Sequence, residues 1–192
     1  VKDIEHDMVE VFLGKDYAPG FYAWLVPKGD DKAKVGLAAK TGNPKELLQN
    51  LMFKHSIASK KLRTAKILQT AFHPIPLGGP IPKAYSNGFL AVGDVASQVK
   101  PTTGGGVIFG VTCARVAAEA AYEALRDNVF SSEFLGVYQK RCEEILGFDV
   151  KVMLRVRGML DAMSDEKVDY AFSFCKKLSL DKTLQNVRDI DF

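Results

Sequence analysis

The chain carries Gly88-Phe89-Leu90-Ala91-Val92-Gly93-Asp94, then a loop, then Thr103-Gly104-Gly105-Gly106, and this order of residues determines the predicted fold. The first seven residues predict a short, fully buried strand that ends in an acid. The apolar run after the glycines predicts a helix over residues 107–126. A strand, an acid, a glycine-rich turn and a helix in this order place a carboxylate and unpaired backbone N–H groups at one edge of a sheet. This is the outline of a site for a nucleotide-type cofactor.

The residue types in this segment suit a flat ligand that carries hydroxyl groups. Glycines at 104–106 have no Cβ, so the main chain can approach such a ligand closely. Asp94 offers a fixed acceptor for hydroxyl groups, whereas its charge would repel a phosphate. Pro101 stiffens the loop, and small residues recur every four positions along the helix, which predicts that this face lies close on a sheet. These small residues are Gly106, Gly110, Ala114 and Ala118. A flexible loop with an ordinary turn acid is the alternative for a lone glycine-rich turn, but the order of elements favours the cofactor site.

Composition narrows the class of protein. The chain has 192 residues, of which 47% are hydrophobic, so it is long and apolar enough to build a core. A net charge of +3 without a basic cluster argues against nucleic acid as a partner. The three cysteines lack C-x-x-C spacing, which argues against a zinc site, an iron–sulfur cluster or a disulfide framework and favours a cytoplasmic setting. The apolar residues 107–125 include Arg115, Glu119 and Glu123, so we interpret them as a helix of a soluble protein.

The rest of the chain predicts an α+β arrangement. Apolar runs at 8–13, 20–26, 35–39 and 67–72 indicate strands. Asn43 and Pro44 are placed to begin a helix between the third and fourth of these runs. A passage rich in proline and glycine at 74–82 excludes regular structure and marks a crossing between domains. From residue 131 onward two apolar stripes and a further helix capped by Ser164 are predicted.

The strand at 20–26 is unusually aromatic. Its period of two places Tyr22, Trp24 and Val26 on one face, and Phe21, Ala23 and Leu25 on the other. Aromatic residues are common in strands, so this pattern on its own favours core packing over a ligand surface.

Two motifs resemble a known family, the geranylgeranyl reductases. The segment GDVASQVKPTTGGG at 93–106 is very similar to the second FAD fingerprint of that family, and its lead-in at 78–92 resembles the family's connection between domains. The family pattern Pro-x-x-Tyr-x-Trp-x-Phe-Pro is matched at Pro19, Tyr22, Trp24 and Pro27. Val26 departs from it, because the family usually has Phe there. This leaves the shape of the substrate open.

The resemblance implies a role for each of these residues. In the family, the acid that matches Asp94 binds the ribityl chain of FAD, and the glycines that match 104–106 lie along the isoalloxazine ring. The implied cofactor-binding residues are Gly93, Asp94, Lys100, Pro101, Gly104, Gly105, Gly106 and Val107. The implied substrate-binding residues are Pro19, Tyr22, Trp24, Val26 and Pro27, with Tyr22 and Trp24 also implied as catalytic. The expected activity is the reduction of carbon–carbon double bonds of a geranylgeranyl chain in a lipid or chlorophyll-type substrate.

The resemblance also implies the fold. We expect an α+β fragment of a two-domain FAD-dependent flavoprotein of the aromatic-hydroxylase or glutathione-reductase type. Residues 1–84 would be antiparallel strands of the substrate domain, 85–128 the closing strand and helix of the FAD domain, and 129–192 a C-terminal helical region. The chain has no G-x-G-x-x-G, so we expect a C-terminal portion that is inactive alone.

The implied partners are the missing N-terminal part of the same protein, an isoprenoid lipid, and a donor of the NAD(P)H or ferredoxin type. Peripheral contact with a membrane surface is expected from the substrate.

Other functions share parts of these patterns. An electron-transfer-flavoprotein dehydrogenase would share Gly93-Asp94, but Cys142 and Cys175 do not form the cluster-binding set that it needs. An aromatic hydroxylase would lack the Tyr22, Trp24 and Pro27 pattern. A lipid-binding module without catalysis is the third alternative.

Overall fold

The computed structural model describes residue 1, residues 3–29 and residues 31–180. The chain divides into two compact units. Of the described residues, unit 1 contains those in 1–72 and 163–180, and unit 2 contains 73–162. Both units combine antiparallel strands with helices, so the predicted α+β class is confirmed.

Unit 1 is built on a three-stranded antiparallel sheet. Its strands are β1 (Glu10–Phe12), β2 (Ala23–Pro27) and β3 (Ala33–Leu37), in that order across the sheet. Three of the predicted strands are therefore confirmed, the first two with shorter bounds and the third shifted two residues toward the N-terminus. The predicted strand at 67–72 is wrong: those residues form no strand, and Leu68 is 72% exposed. Its apolar residues match the strand pattern, but the segment has no neighbouring strand to supply hydrogen bonds.

Two helices follow the sheet in unit 1. Helix α1 (Pro44–Lys54) begins where predicted, since the Asn43 side chain accepts a hydrogen bond from the Lys45 N–H at 3.0 Å. Helix α2 (Ala58–Leu62) begins with a different acceptor, because His55 Nδ1 accepts from the N–H groups of Ile57 and Ala58. Both helices share one core with the sheet. That core contains Phe12, Ala18, Ala23, Leu25, Leu51, Met52, Ala58 and Leu62.

The last helix of unit 1 is the predicted one after Ser164. This helix, α5, spans Asp165–Lys177. The Ser164 hydroxyl accepts a hydrogen bond from the Lys167 N–H at 3.4 Å. Asp165 also accepts from the Lys15 N–H at 3.1 Å, which ties the start of the helix to the loop after β1.

Unit 2 consists of a short hairpin and two long helices. The hairpin pairs β4 (Tyr85–Ser86) with β5 (Phe89–Leu90), and the helices are α3 (Val107–Asp127) and α4 (Ser132–Ala162). Helix α3 matches its prediction, whereas the two apolar stripes after residue 131 form one continuous helix of 31 residues. No proline interrupts it. The core of unit 2 contains Ala84, Ala91, Ala96, Cys113, Val116, Ala117, Ala120, Tyr138 and Cys142.

The predicted buried strand at 88–94 is wrong in its length and burial. Its regular part is the two-residue β5, and Phe89 is 58% exposed. Beyond β5 the chain turns into a 3-10 helix, Gly93–Ala96, which Gly93 enters with φ of +79°. The apolar run resembles a buried strand in sequence, but a hairpin with one partner leaves part of it in solvent.

The two compact units meet in sequence at residues 72/73 and 162/163, and the expected domain boundaries at residues 84 and 128 stay a prediction. The proline and glycine passage is irregular, as predicted, but it packs within unit 2, where the Ile81 N–H donates to the Ala96 carbonyl at 3.2 Å. Helix α4 packs against α3 through the shared core and through a bidentate ion pair between Arg141 and Glu123.

Within residues 1, 3–29 and 31–180, no helix is long and apolar enough to cross a membrane. No group of three or more His, Cys, Asp or Glu side chains in the same residues is placed to hold a metal ion.

Candidate functional site

The Gly93-Asp94 turn sits directly against the start of α3. An ideal Cβ built on Gly106 would lie 2.7 Å from Oδ1 of Asp94, and one built on Gly110 would lie 3.7 Å from the Gly93 Cα. Real Cβ atoms essentially never come within 3.0 Å of such an atom, so a side chain at 106 would force the Asp94 carboxylate out of its present position. The predicted pairing of acid and glycine therefore has a direct steric basis.

Helix α3 begins without a side-chain cap. Gly106 is its N-cap residue and makes no side-chain hydrogen bond, in contrast to the Asn43 and Ser164 caps of α1 and α5. The N–H groups of the first turn of a helix have no partners within that helix, and they carry its partial positive charge. Asp94 thus offers acceptors beside a set of backbone donors.

An open cleft of about 490 Å³ lies at this junction. It is lined by Gly93, Asp94, Gly106, Val107, Gly110, Val111 and Ala114. The small-residue face of α3 was expected to lie on a sheet, and this is wrong for Ala114 and Ala118, which are exposed. The face that packs is the adjacent one, which contains Phe109, Cys113 and Val116. Small residues therefore give α3 a bare surface on the cleft.

The loop before α3 is closed by its own backbone. The Lys100 N–H donates to the Gly105 carbonyl at 3.0 Å, and the Gly104 N–H donates to the Lys100 carbonyl at 2.9 Å. Pro101 is fully buried, and Lys100 is 9% exposed, with Nζ 5.9 Å from the centre of the Phe109 ring. Lys100 is therefore not a solvated loop lysine.

The eight predicted cofactor residues fall into two groups. Gly93, Asp94, Gly106 and Val107 line the cleft. Lys100, Pro101, Gly104 and Gly105 shape the loop that precedes it. A role in cofactor binding stays a prediction for all eight.

Two residues that support the turn were missed in the sequence. The Gly93 N–H donates to Oε1 of Gln98 at 2.7 Å, Nε2 of Gln98 donates to the Tyr138 hydroxyl at 2.7 Å, and that hydroxyl donates to the Ala91 carbonyl at 2.8 Å. Burial raises the pKa of Tyr138 to about 12. The available signal was the tyrosine in an otherwise apolar stripe, since a buried hydroxyl requires partners.

The aromatic strand of unit 1 has the predicted two faces. Phe21, Ala23 and Leu25 are buried, whereas Tyr22, Trp24 and Val26 are half-buried on the opposite face. The rings of Tyr22 and Trp24 lie 5.7 Å apart at an interplanar angle of 62°. This edge-to-face arrangement gives a continuous aromatic surface.

Trp24 is positioned by a glycine on the neighbouring strand. Gly36 is its register partner in β3, and an ideal Cβ on Gly36 would lie 2.5 Å from Cζ2 of Trp24. The indole therefore lies flat on the backbone of β3. Val11, the partner of Trp24 in β1, is 56% exposed and extends the apolar surface across all three strands.

The remaining predicted substrate residues flank this aromatic face. Pro27 ends β2 opposite Ala33, and the Pro19 carbonyl accepts from the Lys40 N–H at 2.8 Å in the turn before the strand. Burial raises the pKa of the Tyr22 hydroxyl, so the phenol stays neutral at physiological pH.

Gly106→Ala is expected to weaken about tenfold the FAD binding that the resemblance implies for the full-length protein, because the new methyl group must displace the Asp94 carboxylate. Flavin fluorescence quenching on titration with FAD measures the affinity. Gly147→Ala is the matched control, since a Cβ at that α4 position meets no atom within 4 Å. Equal affinities for the two variants would contradict the steric role of Gly106.

Comparison with known proteins finds similar sequences and a similar structure among the geranylgeranyl reductases. Residues 1–72 match the family model described as the geranylgeranyl reductase catalytic domain. The digeranylgeranylglycerophospholipid reductase of Methanosarcina acetivorans is 37% identical over 87% of this chain, and the second such enzyme of Methanopyrus kandleri is 34% identical over 87%. A crystal structure of a geranylgeranyl bacteriochlorophyll reductase-like protein from Thermoplasma acidophilum superimposes with a TM-score of 0.78 at 25% identity, covering 88% of this chain.

These matches confirm the resemblance to the geranylgeranyl reductase family. The chain spans less than half of the relatives it matches: 42% of the Methanosarcina enzyme, and 43% of both the Methanopyrus enzyme and the Thermoplasma protein. The matched part is the C-terminal portion of the relatives, as predicted.

Proposed function

Because the chain is similar to the geranylgeranyl reductases, we propose that it is part of a FAD-dependent oxidoreductase. This enzyme would saturate carbon–carbon double bonds of a geranylgeranyl chain in an isoprenoid lipid. The observation that carries the proposal is the Asp94 carboxylate, held against Gly106 at the uncapped start of α3 and facing an open cleft. Unit 2 would contribute to the FAD domain of a two-domain flavoprotein of the aromatic-hydroxylase or glutathione-reductase type. The aromatic face of unit 1 would belong to the substrate domain.

The residues at the cleft fit one part of FAD. Asp94 would accept hydrogen bonds from the ribityl hydroxyl groups, and the first N–H groups of α3 would donate to an acceptor edge of the flavin ring. The bare surface at Gly106 and Gly110 suits a flat ring, because no side chain rises between the ligand and the helix. Gly104 and Gly105, with Lys100 and Pro101, would keep the preceding loop in place.

When bound and reduced by the electron donor, the flavin would supply the hydride for one carbon of the double bond. The chain's own residues would bind and orient the isoprenoid. Tyr22 and Trp24 present ring faces and edges to an apolar chain, and their electron-rich faces would ease positive charge that develops on the carbon that receives the hydride as the other carbon is protonated. The Tyr22 hydroxyl is the candidate proton source for the other carbon; burial raises its pKa, so the phenol is protonated at physiological pH but is a weak acid.

The complete reaction needs partners beyond this chain. We propose a donor of the NAD(P)H or ferredoxin type as the source of electrons. The rest of the protein would bind the FAD pyrophosphate, because the G-x-G-x-x-G that performs this task in such folds is not in these residues. Contact with a membrane surface would give access to the lipid.

The test uses the full-length protein. We expect purified protein to carry flavin absorbance and, after chemical reduction, to add two hydrogens per double bond to a geranylgeranyl lipid, as read by mass spectrometry. Lipid binding without any flavin response would contradict the proposal and favour a lipid-binding module. Flotation with liposomes tests the membrane contact separately.

A further inference from the structure

Tyr138 and Gln98 form a buried hydrogen-bonded chain that ends on the residue before Asp94. Tyr138 lies on α4 and is 0% exposed, and Gln98 is 5% exposed. Neither residue lines the cleft. Any influence on a bound ligand must therefore pass through the Gly93-Asp94 turn.

The two ends of this chain fix its direction. The Gly93 N–H can only donate, and the Ala91 carbonyl can only accept. The Gly93 N–H donates to Gln98 Oε1, so the Gln98 amide must present Nε2 to Tyr138, and the Tyr138 hydroxyl then donates to Ala91. One orientation of the amide satisfies every group, and the opposite orientation would set donor against donor at Gly93.

The same contacts position the acid. Gln98 holds Gly93 twice, since its backbone N–H also donates to the Gly93 carbonyl at 3.1 Å. Gly93 has φ of +79°, which glycine adopts about as readily as a negative φ, so the contacts around it select this conformation. Tyr138 thereby connects α4 to both sides of Val92, through Ala91 and through Gly93, directly before Asp94.

We infer that Tyr138 and Gln98 are positioning residues for the FAD site, holding the Asp94 carboxylate at the cleft through Gly93; this inference rests on the proposed function. Neither residue touches the ligand. Their contribution is to keep the turn in the conformation that binds, so that binding does not have to order it.

The experiment compares Tyr138→Phe with the wild-type full-length protein. We expect the Kd for FAD, measured by flavin fluorescence, to rise about tenfold, which corresponds to about 1.4 kcal/mol. In the FAD-free protein, hydrogen exchange at the Gly93 amide should become about tenfold faster, because Gln98 loses the group that orients it. Tyr85→Phe is the matched control: the half-buried Tyr85 ring lies beside Gly136 of α4 and has no contact with Gly93.

A second variant keeps the test independent of the folding of the first. Gln98→Glu retains the shape of the side chain but replaces the Nε2 donor by an acceptor. The Tyr138 hydroxyl must then either donate to the new carboxylate in place of the Ala91 carbonyl, or keep Ala91 and lose its hydrogen bond to residue 98. It should raise the Kd as Tyr138→Phe does, and the double variant should be no worse than either single one, since both break the same chain.

Three outcomes are decisive. Weaker FAD binding with faster Gly93 exchange and non-additive variants supports the inference. An unchanged Kd in both variants overturns it, even if their melting temperatures fall, and leaves the proposed function standing. Failure of the wild-type protein to bind FAD overturns the proposed function and the inference with it.

Discussion

Asp94→Ala is expected to lower the affinity of the full-length protein for FAD about a hundredfold. A charged acceptor contributes about 1.5–3 kcal/mol to a hydrogen bond, and each 1.4 kcal/mol corresponds to a factor of about ten in affinity. The variant removes this acceptor while leaving the cleft and the start of α3 in place. Titration with FAD, followed by flavin fluorescence, measures the loss.

Two controls separate charge from shape. Asp94→Asn keeps an acceptor oxygen in the same place, so its affinity should fall between those of the wild type and Asp94→Ala. Asp127→Ala removes an acid at the other end of α3, where it pairs with Arg126, and should leave the affinity unchanged. If Asp94→Ala bound FAD as tightly as Asp127→Ala, the assignment of the cleft to FAD would be wrong.

Trp24→Ala is expected to lower kcat/KM for a geranylgeranyl lipid about a hundredfold, because burying a large apolar side chain contributes about 1.5–3 kcal/mol. Trp24 is not among the residues that line the cleft, so the FAD affinity should change much less than kcat/KM. Steady-state kinetics with the reduced protein, with product detected by mass spectrometry, gives the ratio.

The contrast with two further variants makes this result interpretable. Trp24→Phe keeps a ring over Gly36 and should retain most of the activity. Phe53→Ala removes a half-exposed aromatic side chain from α1, in the same unit, and should have no effect on kcat/KM. A loss of the same size for Phe53→Ala would mean that Trp24 acts through stability and not through the substrate.

Local signals in the sequence predicted much of the fold. Asn43 and Ser164 cap helices where their residue types indicated, because a side-chain acceptor beside free N–H groups is a local interaction. The alternation of buried and half-buried residues in β2 also follows directly from strand geometry. In contrast, the apolar residues at 67–72 and 88–94 match the strand pattern as well as the confirmed strands do, but they do not form the predicted strands. Whether such a run finds a pairing partner depends on the rest of the fold.

For the candidate site, too, local features could be predicted from the sequence and long-range contacts could not. The order of acid, glycines and helix predicted that Asp94 lies near the glycine-rich start of the helix, since these positions are joined by one short loop; the close approach of Asp94 to Gly106 is seen only in the structure. The hydrogen bond between Tyr138 and Gln98 could not be predicted, because the two residues are 40 positions apart in sequence and nothing local connects them. Which small residues of α3 face the cleft likewise depended on where α4 packs.

The fixed direction of the chain from Gly93 to Ala91 restricts how this protein can evolve. Replacing Tyr138 by an apolar residue would leave the buried Gln98 amide without its hydrogen-bond acceptor, and replacing Gln98 alone would remove the donor to the buried Tyr138 hydroxyl. Either single substitution therefore gives a less stable protein. The two positions should therefore covary across descendants of this gene, with a change at one followed by a compensating change at the other.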